Sequence, residues 1–117
     1  MEKSNPLREK SYAFALQIIS MHQQLIQERH FVIANQLLCA GTSIGANIEE
    51  AMQGQSRKDF ISKLSIALKE AYETRFWLRL IKDASLLHPQ VVQSRIIDVE
   101  EIIRLLVSII KTSKFSS

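Results

Sequence analysis

Apolar positions recur along almost the whole chain at alternating spacings of four and three residues. Leu7, Ser11, Phe14, Ile18, Met21 and Leu25 form one run, and Ala34, Leu37, Gly41, Ile44, Ile48 and Ala51 a second. Phe60, Leu64, Ala67, Ala71, Thr74, Leu78 and Ile81 form a third, and Val92, Ile96, Val99, Ile103, Leu106 and Ile110 a fourth. A helix of 3.6 residues per turn places every member of such a run on one face, whereas a strand would send residues three apart to opposite faces. Four seams therefore predict four helices, each burying one stripe.

The residues between the seams agree. Asn5-Pro6 sets a capping side chain before a proline suited to a first helical turn. Ser56-Arg57-Lys58-Asp59 reads as a capping box, and His88-Pro89-Gln90 as another helix start. Gly54 falls where the second helix is expected to stop. The expected helices are 6–28, 31–53, 57–85 and 89–112, in one domain spanning 1–117. Connections this short join antiparallel neighbours, so the expected fold is an all-α, up-down-up-down antiparallel four-helix bundle. Ile97, Ile102, Leu105, Ile109, Phe76, Trp77 and Leu80 lie beside the seams. An apolar girth this wide predicts a homo-oligomer.

Composition narrows the setting. With 46% hydrophobic residues, three glycines and two prolines in 117 residues, the chain has the make-up of a helical domain rather than a disordered one. A single cysteine, Cys39, forms no internal disulfide, and its expected place is in the core as a small hydrophobe. The charged start leads to no signal segment, and the longest uncharged stretch, 30–48, holds Asn35, Gln36, Thr42, Ser43 and Asn47. The expectation is a cytoplasmic protein with no membrane partner.

The segment from Gly41 to Gln55, "GTSIGANIEEAMQGQ", interrupts the pattern with two glycines inside a helix. A phosphate-cradling loop needs a preceding strand and a following Lys-Ser/Thr, and neither is present. The heptad runs straight through Gly41, so the glycines are read as narrowing the helix for a close neighbour. Each costs about 1 kcal/mol relative to alanine, which a tight crossing can offset. Beside them Ser43, Asn47 and Glu50 form a polar stripe at i, i+4 and i+7, expected to tie helix to helix or subunit to subunit.

This segment, with "SRKDFISKLSIALKEAYETRFWLRLI" after it, resembles the four-helix-bundle family of proteins encoded in intervening sequences of large-subunit ribosomal RNA genes. The resemblance extends from about Leu7 to Lys111, and its most specific part is Ser43 to Glu50. It implies a ring-like homopentamer, similar to the accessory protein of diversity-generating retroelements, with nucleic acid and a reverse transcriptase as the kind of partner. The chain departs from the family at Cys39-Ala40, where the family usually has Arg-Ser. No role of that arginine is carried over.

Catalytic patterns are sparse. None of His22, His30 and His88 has a glutamate three residues before it, so the Glu-x-x-His pairs of bundle metal sites are missing from the sequence. Glu49, Glu50, Glu70 and Glu73 form no set with a nucleophile, a cofactor motif or metal-ligand spacing. The expectation is no enzyme, no metal and no cofactor. Tyr72, Phe76 and Trp77 are aromatics of the kind that pack on a helix flank, and Arg75, Arg79 and Lys82 form a second basic stripe.

The net charge of +3 is unevenly distributed. In an up-down bundle the start of the first helix, the end of the second, the start of the third and the end of the fourth share one pole. That pole would carry Lys3, Arg8, Lys10, Arg57, Lys58, Lys63, Lys111 and Lys114 against Glu2, Glu9, Glu49, Glu50 and Asp59, which accounts for the whole excess. A ring would multiply it into a basic rim that gathers phosphates. The expected function is a non-enzymatic oligomeric binding scaffold with RNA, DNA or a nucleic-acid-processing protein as partner. The alternative is a protein-binding or structural assembly without nucleic-acid contact.

Overall fold

The computed structural model describes residues 5–115. Four helices follow one another: α1 (Pro6–Gln27), α2 (Phe31–Met52), α3 (Arg57–Asp83) and α4 (Pro89–Phe115). The helices form an all-α bundle about 49 Å long and 25 Å across. Each packs against its two neighbours around the bundle, and the diagonal pairs make no close backbone approach. The contact between α1 and α4 is by far the thinnest of the four.

The seams form the core. Every member of the four runs is buried except Phe60, which is half-buried against the others. Residues such as Ile18, Leu37, Ile44, Leu64 and Leu78 are completely enclosed, and each such side chain stabilises the fold by about 1.5–3 kcal/mol. Ile102 corrects the sequence expectation: placed on a flank, it is 1% exposed. Ile102 sits one position round the helix from Ile103 and is covered at the groove between α4 and α1, beside Phe14.

The polar members of the seams bond to their own helices. Ser11 Oγ donates to the Arg8 carbonyl at 3.0 Å, and Thr74 Oγ1 to the Glu70 carbonyl at 2.7 Å.

The helix starts are capped as the sequence indicates. The backbone N–H of Arg8 donates to Asn5 Oδ1 at 3.1 Å, and that of Asp59 to Ser56 Oγ at 3.1 Å. The ends are less legible. Gly54 lies just past α2, yet no glycine has a positive φ. Among the described residues the left-handed positions are Arg29 (φ 65°) and Ser85 (φ 58°). Around each the backbone closes the paired bonds of a Schellman cap: His30 N–H to the Leu25 carbonyl with Arg29 N–H to Ile26, and Leu86 N–H to Ile81 with Ser85 N–H to Lys82. Gly54 instead leaves room for the Asp59 carboxylate, whose Oδ2 would be 3.0 Å from an added Cβ. Helix α4 continues three residues beyond the expected end at 112.

By length and composition α2 is apolar enough to cross a membrane, with a mean hydropathy of 1.3. Its apolar side chains have another use, since Ala34, Leu37, Ala40, Gly41, Ile44, Ile48 and Ala51 are buried inside the bundle.

Candidate functional site

Helix alternation brings the predicted basic pole together, except Lys3, which lies outside the described residues. Arg8 is in the first turn of α1, Arg57 and Lys58 open α3, and Lys111 and Lys114 lie in the last turns of α4. The electrostatics differ from the sequence picture because helices neutralise one another across their grooves. Arg8 Nε is 2.6 Å from Glu49 Oε1, joining α1 to α2. Lys63 Nζ is 3.0 Å from Glu50 Oε1, joining α3 to α2.

Lys10 Nζ is 2.5 Å from Glu101 Oε1 of α4, a carboxylate that the sequence placed outside the pole. The hydrogen bond with Glu101, followed by its charge, raises the Lys10 pKa, and the same contact lowers that of Glu101. Lys58, Lys111 and Lys114 are exposed and have no ion-pair partner among the described residues.

The glycines face α1. A Cβ on Gly41 would stand 2.8 Å from Ile18 Cγ2, whereas one on Gly45 would stand 3.4 Å from the Ser11 carbonyl oxygen. Helix α2 is continuous through both, which excludes a phosphate loop there. The polar stripe lies on the side toward α3 and behaves differently from the expected bridge. Ser43 Oγ donates to the Cys39 carbonyl at 2.6 Å, and Asn47 Nδ2 to the Ser43 carbonyl at 2.8 Å, both within α2. Short side chains four residues past a carbonyl reach it more easily than a neighbouring helix. Glu50 alone crosses, to Lys63. Cys39 is exposed rather than buried, because two residues from both Leu37 and Gly41 is about 200° around a helix.

Two apolar stripes lie outside the core. On α3, Tyr72, Phe76 and Leu80 are exposed at i, i+4 and i+8, with Trp77 half-buried beside them. Phe76 and Trp77 meet edge to face at 5.3 Å, and Trp77 Nε1 donates to Glu73 Oε2 at 3.2 Å. The Arg75 guanidinium lies over the Tyr72 ring at 5.1 Å and 4.0 Å from Glu100 of α4, and Lys82 donates to Gln93 at 2.6 Å.

The second stripe, Tyr12, Leu16 and Ile19 on α1, is not among the flank residues expected from the sequence, and its members are 66%, 52% and 42% exposed. Its signal was available, since those residues repeat at i, i+4 and i+7 opposite the seam. Helices α1 and α3 are diagonal in the bundle, so the stripes face away from each other.

Among the described residues no group of three or more His, Cys, Asp and Glu side chains is placed to hold a metal ion. His22 is half-buried at the α1–α2 boundary, with Nε2 2.9 Å from Asn35 Oδ1. Burial, then the charge of Glu73, raises the pKa of Glu70.

The likenesses to known proteins agree with this architecture. A crystal structure of a protein of unknown function from the S23 ribosomal protein family of Bacteroides thetaiotaomicron superposes with a TM-score of 0.88. It is 48% identical, covering 91% of this chain and 99% of that one. No curated protein matches the chain. The profile of the 23S rRNA-intervening sequence protein family matches residues 3–108, and the chain belongs to that family.

Proposed function

We propose that this protein is a non-enzymatic scaffold that works as a homo-oligomer. The observation that carries the reading is the pair of apolar stripes, Tyr12-Leu16-Ile19 and Tyr72-Phe76-Leu80, on diagonally opposite helices of a bundle whose core is already filled. A patch and its complement on opposite sides of one subunit favour head-to-tail contacts, which close into rings when the rotation allows. Tyr, Phe and Trp with flanking arginines match the composition of interface centres. The resemblance to the intervening-sequence family implies five subunits.

Light scattering coupled to size exclusion tests the assembly. A particle several times 13.4 kDa supports it, and a 13.4 kDa particle at micromolar concentration overturns it.

A second reading adds RNA or DNA at the basic pole. Lys58, Lys111 and Lys114, exposed and without ion-pair partners, favour it, and a ring would repeat them around one rim. Arg8, Lys10 and Lys63 are already neutralised by glutamates and add less than their number suggests.

A further inference from the structure

The thin contact between α1 and α4 leaves a groove of 220 Å³ between the first and last helices. Phe14 and Ile102, 2% and 1% exposed, line its apolar part with Ala13. Its polar lining comes from Lys10 and Gln17 of α1 and from Arg95, Asp98 and Glu101 of α4, and neither α2 nor α3 contributes a lining residue.

Arg95 is the least exposed ion-paired side chain among the described residues, at 19%. Its Nε is 3.1 Å from Asp98 Oδ2, yet that contact lacks hydrogen-bond alignment, and the buried Nε–H has no acceptor. A guanidinium carries five donors in a fixed fork that matches a carboxylate, and burial without acceptors is costly. The Lys10–Glu101 pair, by contrast, is close and complete.

We propose that this groove binds a small zwitterion with an apolar tail, an α-amino acid with an aliphatic or aromatic side chain. Its carboxylate bonds the Arg95 guanidinium where that group lines the groove, its ammonium bonds Asp98, and its side chain lies on Ala13, Phe14 and Ile102. The loose Arg95–Asp98 contact is exchanged for two aligned charged bonds. The lining carries two cations and two anions, a balance that suits a ligand bearing both charges and disfavours a polyanion. The groove is smaller than the usual ligand pocket of about 300–1,000 Å³, so the dissociation constant is expected on the order of 1–10 mM.

Amide chemical shifts of the intact protein, titrated with L-leucine, test the site. Saturable shifts centred on Ala13, Asp98 and Ile102 are expected. N-acetyl-L-leucine, which lacks the ammonium, and L-leucinamide, which lacks the carboxylate, are each expected to bind at least tenfold more weakly. Arg95→Gln should remove the leucine response. Asp98→Asn, at a more exposed position, should weaken leucine at least tenfold while leaving the response to N-acetyl-L-leucine unchanged, and it decides the matter if Arg95→Gln unfolds. The proposal is overturned if leucine gives no saturable shifts well past that constant. It is equally overturned if the N-acetyl compound binds as tightly as leucine, or if the response persists in a folded Arg95→Gln variant.

Discussion

Ile18 closes over the backbone of Gly41: a Cβ on Gly41 would be 2.8 Å from its Cγ2, 2.9 Å from Cγ1 and 3.3 Å from Cβ. Ile18 is fully buried and β-branched, so it has no cheap rotamer to yield. Gly41→Ala should lower stability by about 1–3 kcal/mol through overpacking, partly offset by about 1 kcal/mol of helix propensity. Gly45→Ala meets its nearest atom at ordinary contact distance and should be neutral or stabilising by up to about 1 kcal/mol. Urea unfolding of the two variants separates the positions, and equal stabilities would show that the crossing yields more readily than Ile18 suggests.

The left-handed caps give a prediction of opposite sign. Arg29 and Ser85 have φ of 65° and 58° without being glycine, a conformation that costs an L-residue about 1–2 kcal/mol. Arg29→Gly and Ser85→Gly should each stabilise the protein by about 0.5–1 kcal/mol, less than the full strain because glycine also loosens the unfolded chain. A fall in the unfolding midpoint for both would mean that their side chains contribute more than the caps cost.

How far the sequence reveals this molecule depends on what each feature requires. The seams needed only helix periodicity, so Leu7 to Leu25 on α1 and Val92 to Ile110 on α4 were legible. The resemblance reached from the glycine-containing helix across most of the chain, and the family match covers residues 3–108. Contacts between helices were harder to read. Glu101 lies 91 residues from Lys10, and no periodicity links them. Ser43 and Asn47 look like a bridging stripe because spacing gives a face but not whether a side chain bonds outward or back to its own carbonyls. Arg29 at a cap was equally hidden, since the expected signal there is glycine.

Glu70 should make stability pH-dependent in a direction unusual for a carboxylate. Burial first, then Glu73, raises its pKa above the ordinary 4.5, so in that window the folded state holds more protons than the unfolded one. Stability from this group is present below the unfolded value and declines as pH rises through the folded value. Glu70→Gln should therefore be more stable than the parent at neutral pH and equal to it well below pH 4.5. Unfolding curves at both pH values check this, and a constant difference would place the effect in packing.

If the two apolar stripes meet head to tail, each can be blocked alone. Leu16→Glu leaves the α3 stripe intact, and Phe76→Glu leaves the α1 stripe intact. Each variant should be a monomer by light scattering, because desolvating a carboxylate in an apolar contact is costly. Mixed together, they should form a dimer through the one undamaged pair of faces. If a stripe paired with its own kind, the variant that keeps it would form a dimer alone, and parent-sized assemblies from either variant alone would remove the mutated stripe from the interface.

Nucleic-acid contact through the pole requires cations that the protein does not already neutralise. Lys58, Lys111 and Lys114 meet that condition, whereas Arg8, Lys10 and Lys63 would have to leave Glu49, Glu101 and Glu50. Binding should be largely blind to sequence, since phosphates carry the charge. Measured by fluorescence anisotropy with a short single-stranded RNA, log K should fall with log salt by about 0.7 per phosphate contact, or about 0.9 on duplex DNA. Reversing Lys58, Lys111 and Lys114 to glutamate should abolish binding with the helical spectrum unchanged, because all three are exposed near helix ends. Reversing Arg75 and Arg79 on the middle of α3 should weaken it much less. If the parent does not bind at low salt, or the triple reversal binds as well as the parent, the lysines are solvated helix ends and the protein-only scaffold is the better account.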